Sequence, residues 1–580
     1  MEAQTKTHST SSVSTNCQNC KKYFVIESED FNFYEKIKVP PPTFCPECRM
    51  IRRMVWRNVR SLYKRSCGLC DKSLISMYGD SAVVYCKECF FGDKWSALSY
   101  AKEYDFSKPF FTQFNGLLNI VPRFFAYQSG NLINSDYSNF CIDGRNIYLA
   151  YSAVECEDVM YSESIDKSKN NLDCYSVQKL DNCSYNIDSE INYNTHYAIE
   201  SRNCIDSYFI YDCANCSNCC LSSNLRNQNY VFKNVKLTKE EYQKAFLELK
   251  LETISGFQKS KELFDSILEK KAIHRFAQIY NSQKTTGDYI VNSKNIYKSF
   301  DVKDSENIAY SLRVLQNTKD SCDLLGIGRN AELVYESMAT SINTYKDFFC
   351  YITLESKECE YSLILKNCSN CFGCISMNNA KYCIFNKQYE KKEYFEMISK
   401  IKQHMNDMPY IDKKGRVFKY GEFFPYDISP FGYNETNAHD FFNLKKGEAL
   451  EKGYLWKNKE KINYQVTIKS SALLDSILDV DDNILNEVIG CPNNGNQDFQ
   501  CTGAYKIVPN EFQFYKQKNL PLPTFCPNCR YYQRLKYRNP LKLWHRQCMK
   551  DGCTNEFETS YAPDRPEIVY CEKCYQQEVY

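Results

Sequence analysis

Sixteen of the 32 cysteines fall into four quartets whose spacing suits a metal ion. The first is Cys17-Gln-Asn-Cys20 with Cys45-Pro-Glu-Cys48, and the second Cys67-Gly-Leu-Cys70 with Cys86-Lys-Glu-Cys89. The third is Cys491 and Cys501 with Cys526-Pro-Asn-Cys529, and the fourth Cys548 and Cys553 with Cys571-Glu-Lys-Cys574. A CxxC on a tight turn aims two thiolates at one point, and two such turns supply a tetrahedron. All-sulfur ligation with no open position makes a closed structural site, so the expected cofactor is Zn2+, about four per chain. The spacing also allows a cross-braced arrangement, Cys17/Cys20 with Cys67/Cys70, and the bland alternative is unmetallated thiol pairs in a core. Cys491 departs from the CxxC pattern and is the least regular ligand.

A second chemistry follows each outer quartet. After Cys48 come Arg49, Arg52, Arg53, Arg57, Arg60, Lys64 and Arg65 with no acid among them. After Cys529 come Arg530, Arg534, Lys536, Arg538, Lys542 and Arg546. Trp56, Tyr63, Tyr537 and Trp544 are interleaved. Cations with aromatics on a zinc-held backbone suit phosphates and unpaired bases, so RNA or DNA is one expected partner. The competing reading is a solvated helix whose arginines pair with carboxylates, and a net charge of +2 from 73 basic and 71 acidic residues favours it. His545, standing where the first copy has Lys64, reads as a solvated base rather than a ligand. No phosphate loop, nucleophile elbow or HExxH is present, so no catalytic residue is expected and the chain reads as non-enzymatic.

These residues lie in two copies of one module. A constant offset of 481 carries Cys20, Cys45, Cys48 and Cys67 onto Cys501, Cys526, Cys529 and Cys548. It also carries Pro40, Pro42, Thr43 and Phe44 onto Pro521, Pro523, Thr524 and Phe525, and Arg57-Asn58 onto Arg538-Asn539. Between the copies, 131–237 and 294–389 are rich in Asn, Ser, Tyr and Cys. Cysteine gaps of 18 to 21 residues (Cys156 to Cys174, Cys183 to Cys204) suggest a parallel β-solenoid with coils of about 20 residues. Stacked antiparallel sheets are the alternative. The CxxCxxC runs Cys213-Cys216-Cys219 and Cys368-Cys371-Cys374 lack the fourth Cys and Pro of a ferredoxin site, so metal-free core packing is expected. Thr238 and Glu241 form a capping box opening a helix, and Glu390–Tyr394 opens its counterpart.

The expected fold class is therefore mostly β with helical connectors, duplicated four-Cys zinc-ribbon modules flanking two parallel β-solenoid-like repeat blocks. The expected order is a disordered tail (1–16), a double zinc-ribbon module (17–97), a helical connector (98–130), repeat block A (131–237) and a second helical connector (238–290). Repeat block B (291–389), a helix with an aromatic and Pro-rich connector (390–490) and a second double zinc-ribbon module (491–580) follow. With no secretory signal, no apolar run of ~18 residues, and too few cysteines for a disulfide scaffold, a reducing cytoplasm is expected and no membrane partner.

The motifs Pro40–Arg49 (PPPTFCPECR), Ser429–Glu435 (SPFGYNE) and Thr559–Cys574 with the Cys/Asn/Tyr-rich middle resemble a group of uncharacterised bacterial multi-zinc-ribbon proteins, nearly end to end. The pattern CxxC, Phe-Tyr, then PTxCPxCR resembles a zinc-ribbon family. The resemblance implies architecture and metal, not an activity. Two functions remain: a zinc protein binding nucleic acid or ribonucleoprotein through the basic modules, or a scaffold presenting the repeat blocks to protein partners. A polysaccharide-cleaving solenoid would need export and a line of acids on one face, and neither is present.

Overall fold

A computed structural model of the chain describes residues 12–80, 82–339, 342–458 and 464–580. The first eleven residues of the expected tail lie outside that set, but Val13–Asn16 is a strand paired antiparallel with Tyr23–Ile26. The chain is mostly β, with twelve α-helices among the described residues. It divides into two compact units, residues 1–125 with 277–457, and 126–276 with 458–580. The N-terminal Cys module thus shares a unit with the second repeat block, and the C-terminal module with the first.

Each module repeats one device. A short hairpin ends in the first Cys pair, and the next Cys caps a helix carrying the fourth. Cys45 is the N-cap of helix Pro46–Met54 and Cys526 that of Pro527–Leu535, each with proline at the first helical position. There the ring presets the helical φ and the missing N–H costs nothing. Cys86 and Cys571 are likewise the N-caps of Lys87–Phe90 and Glu572–Val579, without the proline. Lys21 and Asp71 take left-handed φ of 63° and 58° just after Cys20 and Cys70, folding each hairpin turn back on itself.

The repeat blocks pair in parallel with a step of twelve, not about 20. In the first, Tyr151 faces Glu163, Glu163 faces Tyr175, Tyr175 faces Ile187 and Ile187 faces Ile199. In the second, Lys294 faces Glu306 and Lys357 faces Ser369, with thirteen-residue steps at Glu306–Lys319 and Lys319–Glu332. Pairing starts at Gln128 and Ile279, earlier than the 131 and 291 expected. Every third residue is left-handed: Ser164, Lys167, Asn170, Asp173, Ser176 and Lys179 all have φ between 48° and 57°. Left-handed backbone is costly for most residues and least so for Asn and Asp, which explains the Asn/Asp-rich composition. Their side chains also form rows along the corners: Asn203 Nδ2 donates to Asn215 (2.8 Å), and Asn215 to Asn227 (3.0 Å).

Another column of every third residue is buried. Cys174 donates to the Leu172 carbonyl (3.5 Å) and Cys204 to those of Arg202 (3.4 Å) and Cys213 (3.5 Å), while interior serines such as Ser201 do the same with Ile199 (2.9 Å). A small side chain with one weak donor fits this interior. Asp347 occupies such a position, fully buried, accepting from the Cys359 amide (3.1 Å). Burial pushes its carboxyl up to about 7, against the opposing pull of the Cys359 amide. A carboxyl whose folded pKa is raised favours the protonated fold, so stability falls as pH rises from about 4 to about 7 and is level above. Asp347→Asn should therefore gain stability at pH 8, up to about 4 kcal/mol for a three-unit shift. Urea melts at pH 8 and pH 4 check this; the gain should largely vanish at pH 4.

The connectors hold helices Phe110–Ile120, Lys239–Leu247, Ile254–Lys270 and Lys391–Asp407. Thr238 and Glu241 form the reciprocal cap, with bonds of 3.2 and 2.9 Å. No helix among the described residues is long and apolar enough to cross a membrane.

Candidate metal centres

Four groups of four thiols converge among the described residues, with all sulfur atoms of a group within 4.8 Å of one another. They are Cys17, Cys20, Cys45 and Cys48; Cys67, Cys70, Cys86 and Cys89; Cys491, Cys501, Cys526 and Cys529; and Cys548, Cys553, Cys571 and Cys574. The pairing is sequential, not cross-braced. Measured edges are 3.8 Å for Cys20–Cys45, 3.9 Å for Cys70–Cys86, 3.8 Å for Cys491–Cys529, 3.9 Å for Cys501–Cys526 and 4.0 Å for Cys553–Cys571. A tetrahedron with ~2.3 Å metal–sulfur bonds has edges of about 3.8 Å, whereas a disulfide needs ~2.05 Å. The quartets thus have the size of a four-thiolate metal shell, and all 32 cysteines are free thiols.

The surrounding backbone repeats as well. In each quartet the amide of the third Cys donates to the sulfur of the first: Cys45 to Cys17 (3.3 Å), Cys86 to Cys67 (3.3 Å), Cys526 to Cys491 (3.4 Å) and Cys571 to Cys548 (3.3 Å). N–H groups aimed at sulfur favour the thiolate and orient the ligand. Asn19 and Asn493 add side-chain amides to Cys48 (3.3 Å) and Cys529 (3.1 Å). The irregular ligand Cys491 reaches its quartet because the loop to Cys501 folds back, with left-handed φ at Asn494 (41°), Gly495 (78°) and Gln500 (47°). The Gly495 and Gly503 amides then donate to Cys501 (3.3 and 3.4 Å). Hydrogen bonding with Cys491 draws the Cys501 thiol down to about 6, and at Cys67 burial opposes but the amides of Cys86, Leu69 and Cys70 prevail, to about 7.

Five arginines of the basic stretches are buried against carboxylates, the arrangement that the competing reading describes. Arg49, Arg52, Arg53, Arg530 and Arg534 have side chains at most 2% exposed. Arg49 and Arg53 share Asp323 (2.9 and 3.0 Å), and Arg52 lies between Glu336 (2.9 Å) and Glu422 (2.6 Å). In the other unit Arg530 pairs with Asp173 (3.2 Å) and Glu511 (3.0 Å), Arg534 with Asp173, and Arg538 with Asp188 (2.9 Å). Asp323 is held below the usual carboxylate range, since Arg49 and Arg53 outweigh its burial. A guanidinium taken from water needs such partners, so these helices clamp onto acids of the repeat block in their own unit.

The remaining cations divide. Arg57 is buried and Arg60 half-buried; Arg65 donates to the Ala82 carbonyl (3.1 Å) and Arg546 to that of Ala562 (3.2 Å). Lys64, Lys536 and Lys542 are exposed. Trp56 is buried, and Tyr537 donates to Asp265 (2.7 Å). His545 is exposed beside Glu556 (3.0 Å).

The carboxylate partners Asp173, Asp188, Asp323, Glu336, Glu422 and Glu511 were not singled out from sequence. The signal that could have found Asp173 and Asp323 is their place in a column of left-handed corners, φ 56° and 58°.

No family model and no curated protein matches the chain. A solved structure described as an acetyltransferase from Desulfovibrio desulfuricans G20 aligns over 56% of this chain and 78% of its own, at 11% identity and a TM-score of 0.11. At that score the likeness bears on neither fold nor function, and the metal-sized quartets and the buried arginines carry the reading.

Proposed function

We propose that this protein is a zinc-stabilised scaffold that offers two β-solenoids, built of twelve-residue coils, to protein partners. Zn2+ fits the quartets because the donor set is four thiolates with tetrahedral edges, and soft d10 ions take that shell. The residues that would hold it are the sixteen quartet cysteines. When bound, a closed four-thiolate ion supplies rigidity and leaves no open position for substrate. The step-of-twelve parallel pairing, the left-handed corners and the buried third column support the solenoid.

The observation that carries the scaffold reading is the use of the arginines. Five guanidiniums that could have met phosphate are spent inside on Asp173, Asp323, Glu336, Glu422 and Glu511. The modules thereby grip the repeat blocks instead of presenting cations. Lys64, Lys536 and Lys542 are too few to make a strong salt-dependent site, since each neutralised phosphate adds only about 0.7–0.9 to the salt slope.

Pull-down from native lysate with and without nuclease tests this reading. Protein partners should be retained at stoichiometric yield after nuclease, and the zinc-loaded chain should not shift single-stranded RNA at about 50 mM salt. Nuclease-sensitive capture together with a salt-dependent shift would overturn it in favour of ribonucleoprotein binding.

A further inference from the structure

The unit of residues 126–276 with 458–580 holds a cavity of about 590 Å³. It is walled by Leu520–Phe525, Gln533 and Tyr537 of the C-terminal module, Tyr197 of the repeat block, and Lys261 of helix Ile254–Lys270. The offset of 481 maps Leu520–Phe525 onto Val39–Phe44, Gln533 onto Arg52, and Tyr537 onto Trp56.

In the other unit those equivalents are covered by the chain itself, in the segment Val417–Tyr426. Thr43 donates its amide and hydroxyl to Glu422 (2.9 and 2.5 Å), and Arg52 takes the other carboxylate oxygen (2.6 Å). The Phe424 ring lies 4.9 Å from Trp56 and 4.9 Å from Phe114. Tyr420 lies 6.4 Å from Phe349, which occupies in its column the place of Tyr197. Gly421 packs so close to Pro40 that a Cβ there would stand 2.6 Å from the ring.

The helix that walls each site is equivalent too. Phe110–Ile120 leads into strand Arg123–Phe124, paired parallel with Val84–Tyr85; Ile254–Lys270 leads into Ile273–Arg275, paired parallel with Ile568–Tyr570. One unit therefore shows the site filled, and the other shows it open. Thr524 and the Gln533 side chain, in the places of Thr43 and Arg52, have no hydrogen-bond partner among the described residues. Lys536, one turn beyond Gln533, pairs with no carboxylate among them.

We infer that this cavity receives an extended peptide of a partner protein, an acidic residue followed by two aromatic residues, laid down as Glu422-Phe423-Phe424 is in the other unit. The acid would meet the Thr524 amide and hydroxyl, Gln533 and Lys536, and the aromatics would stack against Tyr537 and the helix wall. A second copy cannot supply the segment while folded, because its Phe423, Phe424 and Tyr426 are buried in its own unit.

The test is fluorescence anisotropy of the full zinc-loaded chain with a labelled synthetic peptide, VFKYGEFFPY, the sequence of residues 417–426. Saturable one-to-one binding is expected. Gln533→Arg restores the guanidinium of the filled site and should tighten binding about tenfold, through a charge-assisted bond. The same variant should leave unchanged the affinity of a peptide with Gln in place of Glu. Thr524→Trp, filling the cavity, should weaken binding about tenfold or more, with metal content and melting checked for both variants. No binding at about 1 mM peptide, or binding indifferent to Gln533→Arg, overturns the inference.

Discussion

Serine in place of Cys529 is expected to remove one metal ion per chain and to unfold the helix that Cys526 caps. The quartets lie at hairpin ends and helix caps; the fourth packs Cys548, Cys571 and Cys574 against little more than Phe557 and Tyr570, and the third joins a larger core that includes residues outside its module such as Tyr161, Leu172 and Ile477. Modules of this size do not bury enough apolar surface to order themselves alone. A structural zinc shell contributes roughly 10–16 kcal/mol of folding free energy at neutral pH. Loss of one sulfur should therefore cost more than any packing substitution in the chain. Metal analysis should read close to four ions in the parent and close to three in Cys529→Ser or Cys48→Ser. A parent holding two or fewer when fully loaded would refute the quartets. Because ligand thiolates compete with protons, the ions should leave as pH falls, with unfolding following metal release.

The quartets were readable because a CxxC knuckle is local. Its spacing is set by one turn and does not depend on the rest of the chain. Cys491 was harder, since nine residues separate it from Cys501 and only the left-handed Asn494, Gly495 and Gln500 bring it back. The repeat was mis-sized for a related reason. Gaps of 18 and 21 residues suggested a coil of about 20, but Cys156, Cys174, Cys183, Cys204 and Cys213 all stand at multiples of three from one another. Buried positions recur every third residue, so cysteine gaps report which column a residue joins and not the length of the repeat. The length is visible only in pairing such as Tyr175 with Ile187, which no hydrophobic alternation encodes. Sequence left the arginines with two readings, phosphate-facing or paired with carboxylates, because their partners are remote in sequence. Arg53 and Asp323 stand 270 positions apart, and part of the intervening chain belongs to the other unit. Near-zero net charge was the one hint that basic stretches and acids cancel inside.

Asp173→Asn is expected to cost about 3–5 kcal/mol, the range for removing one partner from a buried ion pair. Asp173 is fully buried and serves Arg530 and Arg534 together; Glu511 remains for Arg530, but among the described residues no other carboxylate pairs with Arg534. Asparagine keeps the left-handed φ of 56° and nearly the same volume, so the loss would be charge and not shape. The cost arises because a desolvated guanidinium is stranded, not because the pair itself adds much. Hence Arg534→Met in the Asp173→Asn background should recover part of the loss, and the double variant should be more stable than the sum of the singles implies. Urea denaturation of the metal-loaded chain measures both terms. The same variants separate the two functional readings. If the arginines existed to meet phosphate, Asp173→Asn would leave the fold intact and free Arg534 for RNA. If they clamp the repeat block, the variant loses stability and gains no nucleic-acid affinity at low salt. The second outcome is the one expected on the proposed function, since Arg534 also donates to the Tyr161 carbonyl (2.8 Å) and is 2% exposed.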